Sequence, residues 1–250
     1  MNIIKAGAYI ADSTILEDQI QIGHNAVILS GTADKITRIC YGVIIGSNST
    51  IYEGVTIGSK ALVRPGSVVN RSIPPLAVVE GNPAKIVGYV ETSTSQVDTK
   101  VDRLPLPGVT RTSVSGVNIH NLPNVPDIRG NLTVGEFEKQ IPFCTNRYFL
   151  IYDVPTAETR GEHAHIECHQ FLIAVKGTVH VVADDGKSRE EFILDRPSMG
   201  VHLPPMTWGI QYRYSNDAVL LVFASHYYDS ADYIRNYEEF VSIKKNMLLQ

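Results

Sequence analysis

The sequence is poor in cysteine and tryptophan and has no strong excess of charge of either sign. Its three cysteines, Cys40, Cys144 and Cys168, are odd in number and scattered, which makes neither a disulfide framework nor a cysteine-based zinc site. Lys and Arg total 22 against 26 Asp and Glu, a net charge of −4. Without a basic face, nucleic acid is not expected as a partner. No stretch approaches 18 uninterrupted apolar residues, so no membrane span is expected. The opening MNIIKAGAYIADST lacks a basic segment followed by an apolar one, so no secretory signal is expected and the expected location is the cytoplasm. What the chain does hold is 44% apolar and only 19% charged residues, enough for a packed core. Its 250 residues allow one large or two small domains.

The first third carries a repeat. An aliphatic residue recurs every sixth position at Ile4, Ile10, Leu16, Ile22 and Ile28. The register breaks over DKITR (34–38) and resumes at Ile39, Ile45, Ile51, Ile57, Val63 and Val69. A period of six fits neither an amphipathic helix nor a half-buried strand. It fits a coil with flat faces, one inward aliphatic per face and small residues at the corners. Three faces per turn give about four coils of a parallel β-helix.

The block ends in RSIPPLAVVEGNPAKIVGYV (71–90). GVTIG, then PP, then GNPAKIVG resembles the C-terminal end of hexapeptide-repeat acyltransferases, over about residues 1–90. The resemblance implies a left-handed coil, trimers, and acyl-CoA held between neighbouring coils, with Asn82 and Lys85 as its candidate contacts and acetyl-CoA as the donor. Relatives acting on amino sugars carry more coils on the N-terminal side and a long acceptor loop with an Asn-Asp pair. Here the register break sits where that loop would be. His24 is the one histidine of the block, and a lone histidine on a coil is more often solvated or packed than a base. An active transferase and a trimerising stub both remain open.

Residues 91–113, ETSTSQVDTKVDRLPLPGVTRTS, lose all periodicity and read as an extended connector. From Val114 to the end, strand signals return in RYFLIYDV, HQFLIAVKGTVHVVADDG and AVLLVFAS. Asp185-Gly186 is a hairpin turn signal. A helix is expected only over DSADYIRNYEEF (229–240), capped by Asp or Ser. Short strands with regular turns indicate a sandwich or barrel. The whole chain thus reads as all-β: a β-helix over 1–90, a connector, and a β-barrel over 114–250.

The densest chemistry lies in RGEHAHIECHQFLIAVKG (160–177). His163 and His165 alternate with Ala164 and project to one face of a strand. With Gln170 and Gly177 they match the spacing of the first cupin motif, His-x-His-x4-Glu-x6-Gly. Cupins bind a metal through two His, one Glu and a later His. Here the Glu slot holds Gln170 and the later slot holds Gly209, so two of four ligands are missing and no metal is expected. Two neighbouring neutral imidazoles suit acid–base chemistry instead. One removes a proton from carbon alpha to a carbonyl and the other donates to the oxygen.

From Pro123 to Phe240 the chain resembles the cupin-fold sugar 3,4-ketoisomerases. The carrying segments are DIRGNLTVGEF, RGEHAHIECHQFLIAVKGTVHVVADDG, LDRP, PPMTWGIQYRYS and ASHYYDSADYIRNY. The resemblance implies a jelly-roll barrel acting on dTDP-4-keto-6-deoxyglucose. In it His163 and His165 move protons between C-3 and C-4 through an enediol, without metal or redox cofactor. Several members have a His directly after the Trp where this chain has Gly209, which leaves the configuration at C-4 of the product open. A diphosphate calls for cationic donors. Arg160 is the first candidate and Arg129 the second, the latter reaching from a partner subunit in related dTDP-sugar cupins; Arg147 could face either way. Gln170 frames the histidines. Tyr148, Tyr152 and Trp208 are candidates to stack on thymine or sugar. Asp232, Tyr233 and Arg235 read as packing of the terminal segment. The fusion of the two parts resembles bifunctional proteins that isomerise the keto sugar and N-acetylate the derived 3-amino sugar.

Two alternatives stand beside this reading: a dTDP-sugar 3,5-epimerase, and a non-catalytic sugar-nucleotide-binding scaffold. A three-fold β-helix combined with a two-fold cupin would close into a homohexamer.

Overall fold

The computed structural model describes residues 1–31, 36–90, 93–94, 106–155 and 158–247. It divides into two compact units, Met1–Thr92 and Ser93–Gln250. Among the described residues no helix is long and apolar enough to cross a membrane.

The first unit is a three-faced parallel β-helix of two-residue strands. Each aliphatic of the six-residue repeat ends one strand and stacks on its counterpart in the next coil. Ile4, Ile22, Ile45, Val63 and Val79 form one column. Ile10, Ile28, Ile51 and Val69 form the second. Leu16, Ile39, Ile57 and Ile73 form the third. From the second coil upward these side chains are almost wholly buried, each worth ~1.5–3 kcal/mol. The corners obey a rule too. The second residue before a strand takes a left-handed φ, as at Gly7, Asn25, Gly42 and Asn48. Asn tolerates this conformation better than most residues. Gly46 answers a different need: a Cβ there would lie 2.4 Å from the Pro65 nitrogen of the next coil. The register break expected at 34–38 falls between Ile28 and Ile39, with residues 32–35 outside the described ones. The coil ends in an antiparallel hairpin, Ala77–Gly81 with Ala84–Tyr89.

The connector expected over 91–113 lies largely outside the described residues. Its two ends differ from expectation. Ser93–Thr94 pairs with Glu190 and Glu191. Gly108–Arg111 (β1) forms a true strand against Asn118–Asn121 (β2). Backbone pairing to a sheet already in place overrides the weak local pattern.

The second unit is built from two largely antiparallel sheets, in which only Ser93–Thr94 pairs in parallel among the described residues, and a small antiparallel ribbon of Asn124–Val125 with Leu132–Thr133. The remaining strands of the two sheets are Arg147–Tyr152 (β3), Arg160–His165 (β4), Gln170–Lys176 (β5), Val179–Asp184 (β6), Arg189–Leu194 (β7), Met199–Leu203 (β8), Trp208–Tyr212 (β9), Val219–Ala224 (β10) and Tyr233–Ile234 (β11). One sheet runs Ser93–Thr94, β7, β6, β9, β4, β11; the other runs β1, β2, β8, β5, β10, β3. Leu172, Val181, Ala183, Val201, Leu220 and Val222 fill the space between them. The alternate residues Phe171 and Ile173 face outward into a second cluster with Leu122, Ile141 and Phe143. Asp185-Gly186 lies in the β6–β7 hairpin as expected, with Gly186 at φ 87°.

The helix expected over 229–240 is corrected. Residues Ser230–Asp232 form one 3₁₀ turn, and Tyr233–Ile234 is strand β11. The α-helix, α1, runs Tyr237–Met247. Asn236 accepts from the Glu239 N–H at 2.8 Å and caps it. Tertiary pairing of Tyr233 with His165, and of Ile234 with Ala164, takes the first half of the segment away from the helix.

Candidate active site

The histidine pair sits on β4, on the face turned toward the other sheet. Two left-handed residues, Gly161 (φ 81°) and Glu162 (φ 53°), interrupt the β4–β9 ladder just before it. A Cβ on Gly161 would lie 2.6 Å from the Gly209 carbonyl oxygen, so this bulge needs glycine. The bulge also resets the alternation. Arg160 pairs with Gln211 and His163 with Gly209, so Arg160 shares the face of the histidines. Simple alternation would have sent it to the opposite face.

The tautomers follow from the partners. His163 Nδ1 lies 2.9 Å from the Gly161 carbonyl, which only accepts, so Nδ1 carries hydrogen. His165 Nδ1 likewise donates to the Asp232 carboxylate at 2.7 Å. The two Nε2 atoms therefore face each other bare, 3.2 Å apart. The Gln170 amide donates to His165 Nε2 at 3.0 Å. Burial pulls the His163 pKa down to about 4, with the Gly161 carbonyl working against it. His165 is also lowered by burial, against the raising effect of Asp232. Near neutral pH the pair is thus a neutral couple of bases whose added proton both rings would share.

Asp232 is held in place by the turn that carries it. Its Oδ1 accepts from the Glu167 N–H at 2.7 Å, and its carbonyl accepts from the Ile166 N–H at 2.9 Å. Tyr233 packs on both imidazoles, with centroids 4.8 and 4.3 Å away. Arg235 lies over the Tyr233 ring at 4.3 Å. From the other sheet Arg147 donates toward the Tyr233 hydroxyl at 3.4 Å. The pocket is floored by His163, His165, Cys168 and Gln170 and walled by Leu203, Thr207 and Gln211.

A family model described as "FdtA: WxcM-like, C-terminal" matches residues 115–245. The chain belongs to this family. The TDP-4-oxo-6-deoxy-α-D-glucose-3,4-oxoisomerase of Aneurinibacillus thermoaerophilus is 40% identical over 120 residues, covering 48% of this chain and 86% of that protein. A crystal structure of a mutant of the 3,4-ketoisomerase QdtA from Thermoanaerobacterium thermosaccharolyticum, in complex with TDP-4-keto-6-deoxyglucose, superposes with a TM-score of 0.53. It is 33% identical and covers 55% of this chain and 99% of that one. The first unit is similar to another protein of A. thermoaerophilus, the dTDP-3-amino-3,6-dideoxy-α-D-galactopyranose 3-N-acetyltransferase. That match is 49% identical over 61 residues, 24% of this chain. The chain spans 32% of the acetyltransferase's length.

The remaining residues singled out from sequence fall in several places. Gln170 is buried beside His165, and Arg160 is exposed, paired with the pocket residue Gln211. Arg147 alternates with Phe149 and Ile151 on the inward side of β3. Trp208 is a correction: it is 5% exposed and packs against Tyr237 and Phe240 of α1. In β9 Gly209 and Gln211 face the pocket, so Trp208 must face away. Tyr148 and Tyr152 are a second correction, lying on the outer, exposed side of β3. Arg129 is 86% exposed and paired with both oxygens of Asp127, outside the pocket lining of its own chain. Asn82 and Lys85 are exposed in the terminal hairpin of the first unit. Asp232, Tyr233 and Arg235, read as packing, instead surround the histidines.

A cupin metal does not fit the expected slots. Gly209 supplies no donor, and the Gln170 amide turns its NH2 toward His165.

Proposed function

We propose that the second unit is a nucleotide-sugar 3,4-ketoisomerase, converting dTDP-4-keto-6-deoxyglucose to a dTDP-3-keto-6-deoxyhexose. The observation that carries this reading is the pair of bare Nε2 atoms 3.2 Å apart, each ring anchored through Nδ1. Relatives whose names state the same conversion support it.

The chemistry needs only proton movement. One imidazole takes the proton from C-3, and the pair then passes the proton it has gained to the C-4 oxygen, giving an enediol. Removal of the proton on the C-3 oxygen and delivery of one to C-4 complete the 3-ketone. Electrons stay within the sugar, so the step is redox-neutral. Asp232 stabilises the imidazolium that forms on His165. Arg160, opposite the pocket residue Gln211, suits the diphosphate, as do Arg147 and Arg235 on the Tyr233 side. Arg129 would serve this site from a partner subunit.

For the first unit we infer acetyl-CoA-dependent N-acetylation of the derived 3-amino sugar, favoured by its identity with the N-acetyltransferase, with Asn82 and Lys85 as candidate contacts of the cofactor. The assembly proposed from the two parts is a hexamer, and light scattering that gives a monomer or simple dimer refutes it.

NMR of the protein with dTDP-4-keto-6-deoxyglucose in deuterated buffer tests the isomerase. A 3-keto product labelled at C-4, with label at C-3 of the recovered 4-keto substrate, both reduced in His163→Asn and His165→Asn, is expected. Label at C-5 would instead identify an epimerase. Binding without any exchange would reduce the unit to a sugar-nucleotide scaffold.

A further inference from the structure

Cys168 has no part in the proton transfer, yet it lies in the pocket floor, 2% exposed. A ring nitrogen of His165, the Cys168 sulfur and an Asp232 oxygen lie within 4.8 Å of one another. Three separate elements converge to place them: the end of β4, the turn leading into β5, and the 3₁₀ turn before β11. The Cys168 thiol donates to the His169 carbonyl at 3.3 Å, and Asp232 is fixed by the backbone of Ile166 and Glu167.

We propose that these three residues form a binding site for a thiophilic divalent cation, Zn²⁺ by donor chemistry, and that its occupancy switches the isomerase off. One imidazole, one thiolate and one carboxylate are a borderline-to-soft set that suits zinc and disfavours magnesium or calcium. Zinc bonds of ~2.0–2.3 Å put neighbouring ligands of a tetrahedron ~3.3–3.7 Å apart. A contraction of about an ångström from the present spread is within side-chain adjustment. Thiolate and carboxylate neutralise the cation, so the buried complex carries no net charge. Binding releases the thiol proton, and a fourth position remains toward the pocket for water. The site shares His165 with the cupin slots but uses neither Gln170 nor Gly209; Cys168 and Asp232 lie outside that motif.

The inhibitory consequence rests on the isomerase reading. A cation that takes Asp232 and a ring nitrogen of His165 removes the anchored imidazole from proton transfer. Binding itself does not depend on that reading.

The test is a Co²⁺ titration of the full chain followed by absorption, then displacement with Zn²⁺. Wild type is expected to show a near-ultraviolet thiolate-to-Co²⁺ charge-transfer band with the intense visible bands of four-coordination. Cys168→Ser should lose the charge-transfer band and bind Co²⁺ at least ~10-fold more weakly. Asp232→Asn, a second variant should the first not fold, should keep the band with similarly weakened affinity. An unchanged band in Cys168→Ser would assign binding to Cys40 or Cys144 and overturn the site, as would no band in wild type. Zn²⁺ should lower isomerisation at least ~10-fold, reversed by chelator. Wild-type cobalt binding at Cys168 with undiminished isomerisation would overturn the inhibitory half alone.

Discussion

Replacing Asp232 by Asn leaves the side chain's shape intact and removes one acceptor. The carboxylate accepts from two donors, the Glu167 N–H and the His165 Nδ1–H, each at 2.7 Å. An amide has one oxygen to offer them. The backbone N–H cannot change its tautomer but the imidazole can. The Asn oxygen should therefore go to Glu167, with its NH2 turned toward His165 Nδ1. That drives the His165 hydrogen onto Nε2, the atom facing His163. Loss of a charge-assisted hydrogen bond alone is worth ~1.5–3 kcal/mol, or ~10- to 150-fold in kcat/KM. The tautomer switch deepens the loss toward the ~10⁴-fold seen for the same change in hydrolytic triads. The assay is the rate of 3-keto product formation by NMR. Nitrogen-15 shifts of His165 should report Nδ1–H in wild type and Nε2–H in the variant, with the melting temperature as control for folding. A folded variant within twofold of wild-type kcat/KM, or one with an unchanged tautomer, would refute the reasoning.

Arg160→Ala should raise KM for the dTDP-sugar by ~10- to 100-fold with little change in kcat, because one charge-assisted contact to diphosphate is lost; equal losses in kcat would place Arg160 in the proton transfer instead. His202 stacks on His169 with ring nitrogens 2.9 Å apart, and burial lowers its pKa to about 4 from 6.5. It stays neutral when folded while the unfolded chain takes up a proton, so its contribution is intact above pH 6.5 and lost as pH falls to about 4, by ~3 kcal/mol. Urea unfolding of wild type and His202→Leu across that range should show the shallower pH dependence in the variant; parallel curves would disprove the assignment. Gly46→Ala should lower the melting of the first unit, since the new Cβ meets the Pro65 nitrogen at 2.4 Å, while the isomerase rate stays within twofold; a rise in melting temperature would contradict the coil-to-coil contact.

Much of the fold was legible because the β-helix repeats one physical requirement. Each flat face admits one inward aliphatic, so the period of six appears directly in the letters, and after the break in period Ile39 still stacks on Leu16. The histidine pair was legible for a similar reason, since two residues two apart share a strand face. What the letters hid depended on contacts distant in sequence. Asp232 reaches His165 across 67 positions, through a two-residue strand embedded in a segment of helix-like composition. Asn236 followed by Glu239 was the visible cap signal that would have moved the helix start past it. Trp208 was misread although the pattern held the answer. Once Gly209 occupies the cupin slot facing the pocket, its neighbour has to face away. Tyr152 could not be oriented from alternation alone, because β3 lies at a sheet edge and either side could have been outward.

The bulge at Gly161–Glu162 acts as a phase shifter in the strand. Upstream and downstream of it, the residues facing the pocket belong to opposite parities, even at Arg160 and odd at His163 and His165. What matters there is chain length as much as side-chain identity. Excising Glu162 alone would let the ladder close in its present pairing, with Arg160 still opposite Gln211 and His163 opposite Gly209; straightening the bulge with its extra residue kept would instead swing the arginine to the far surface of the sheet. Regularising the strand at constant length would thus separate the recognition proposed for Arg160 from the movement of protons proposed for the histidines, without altering any of those side chains.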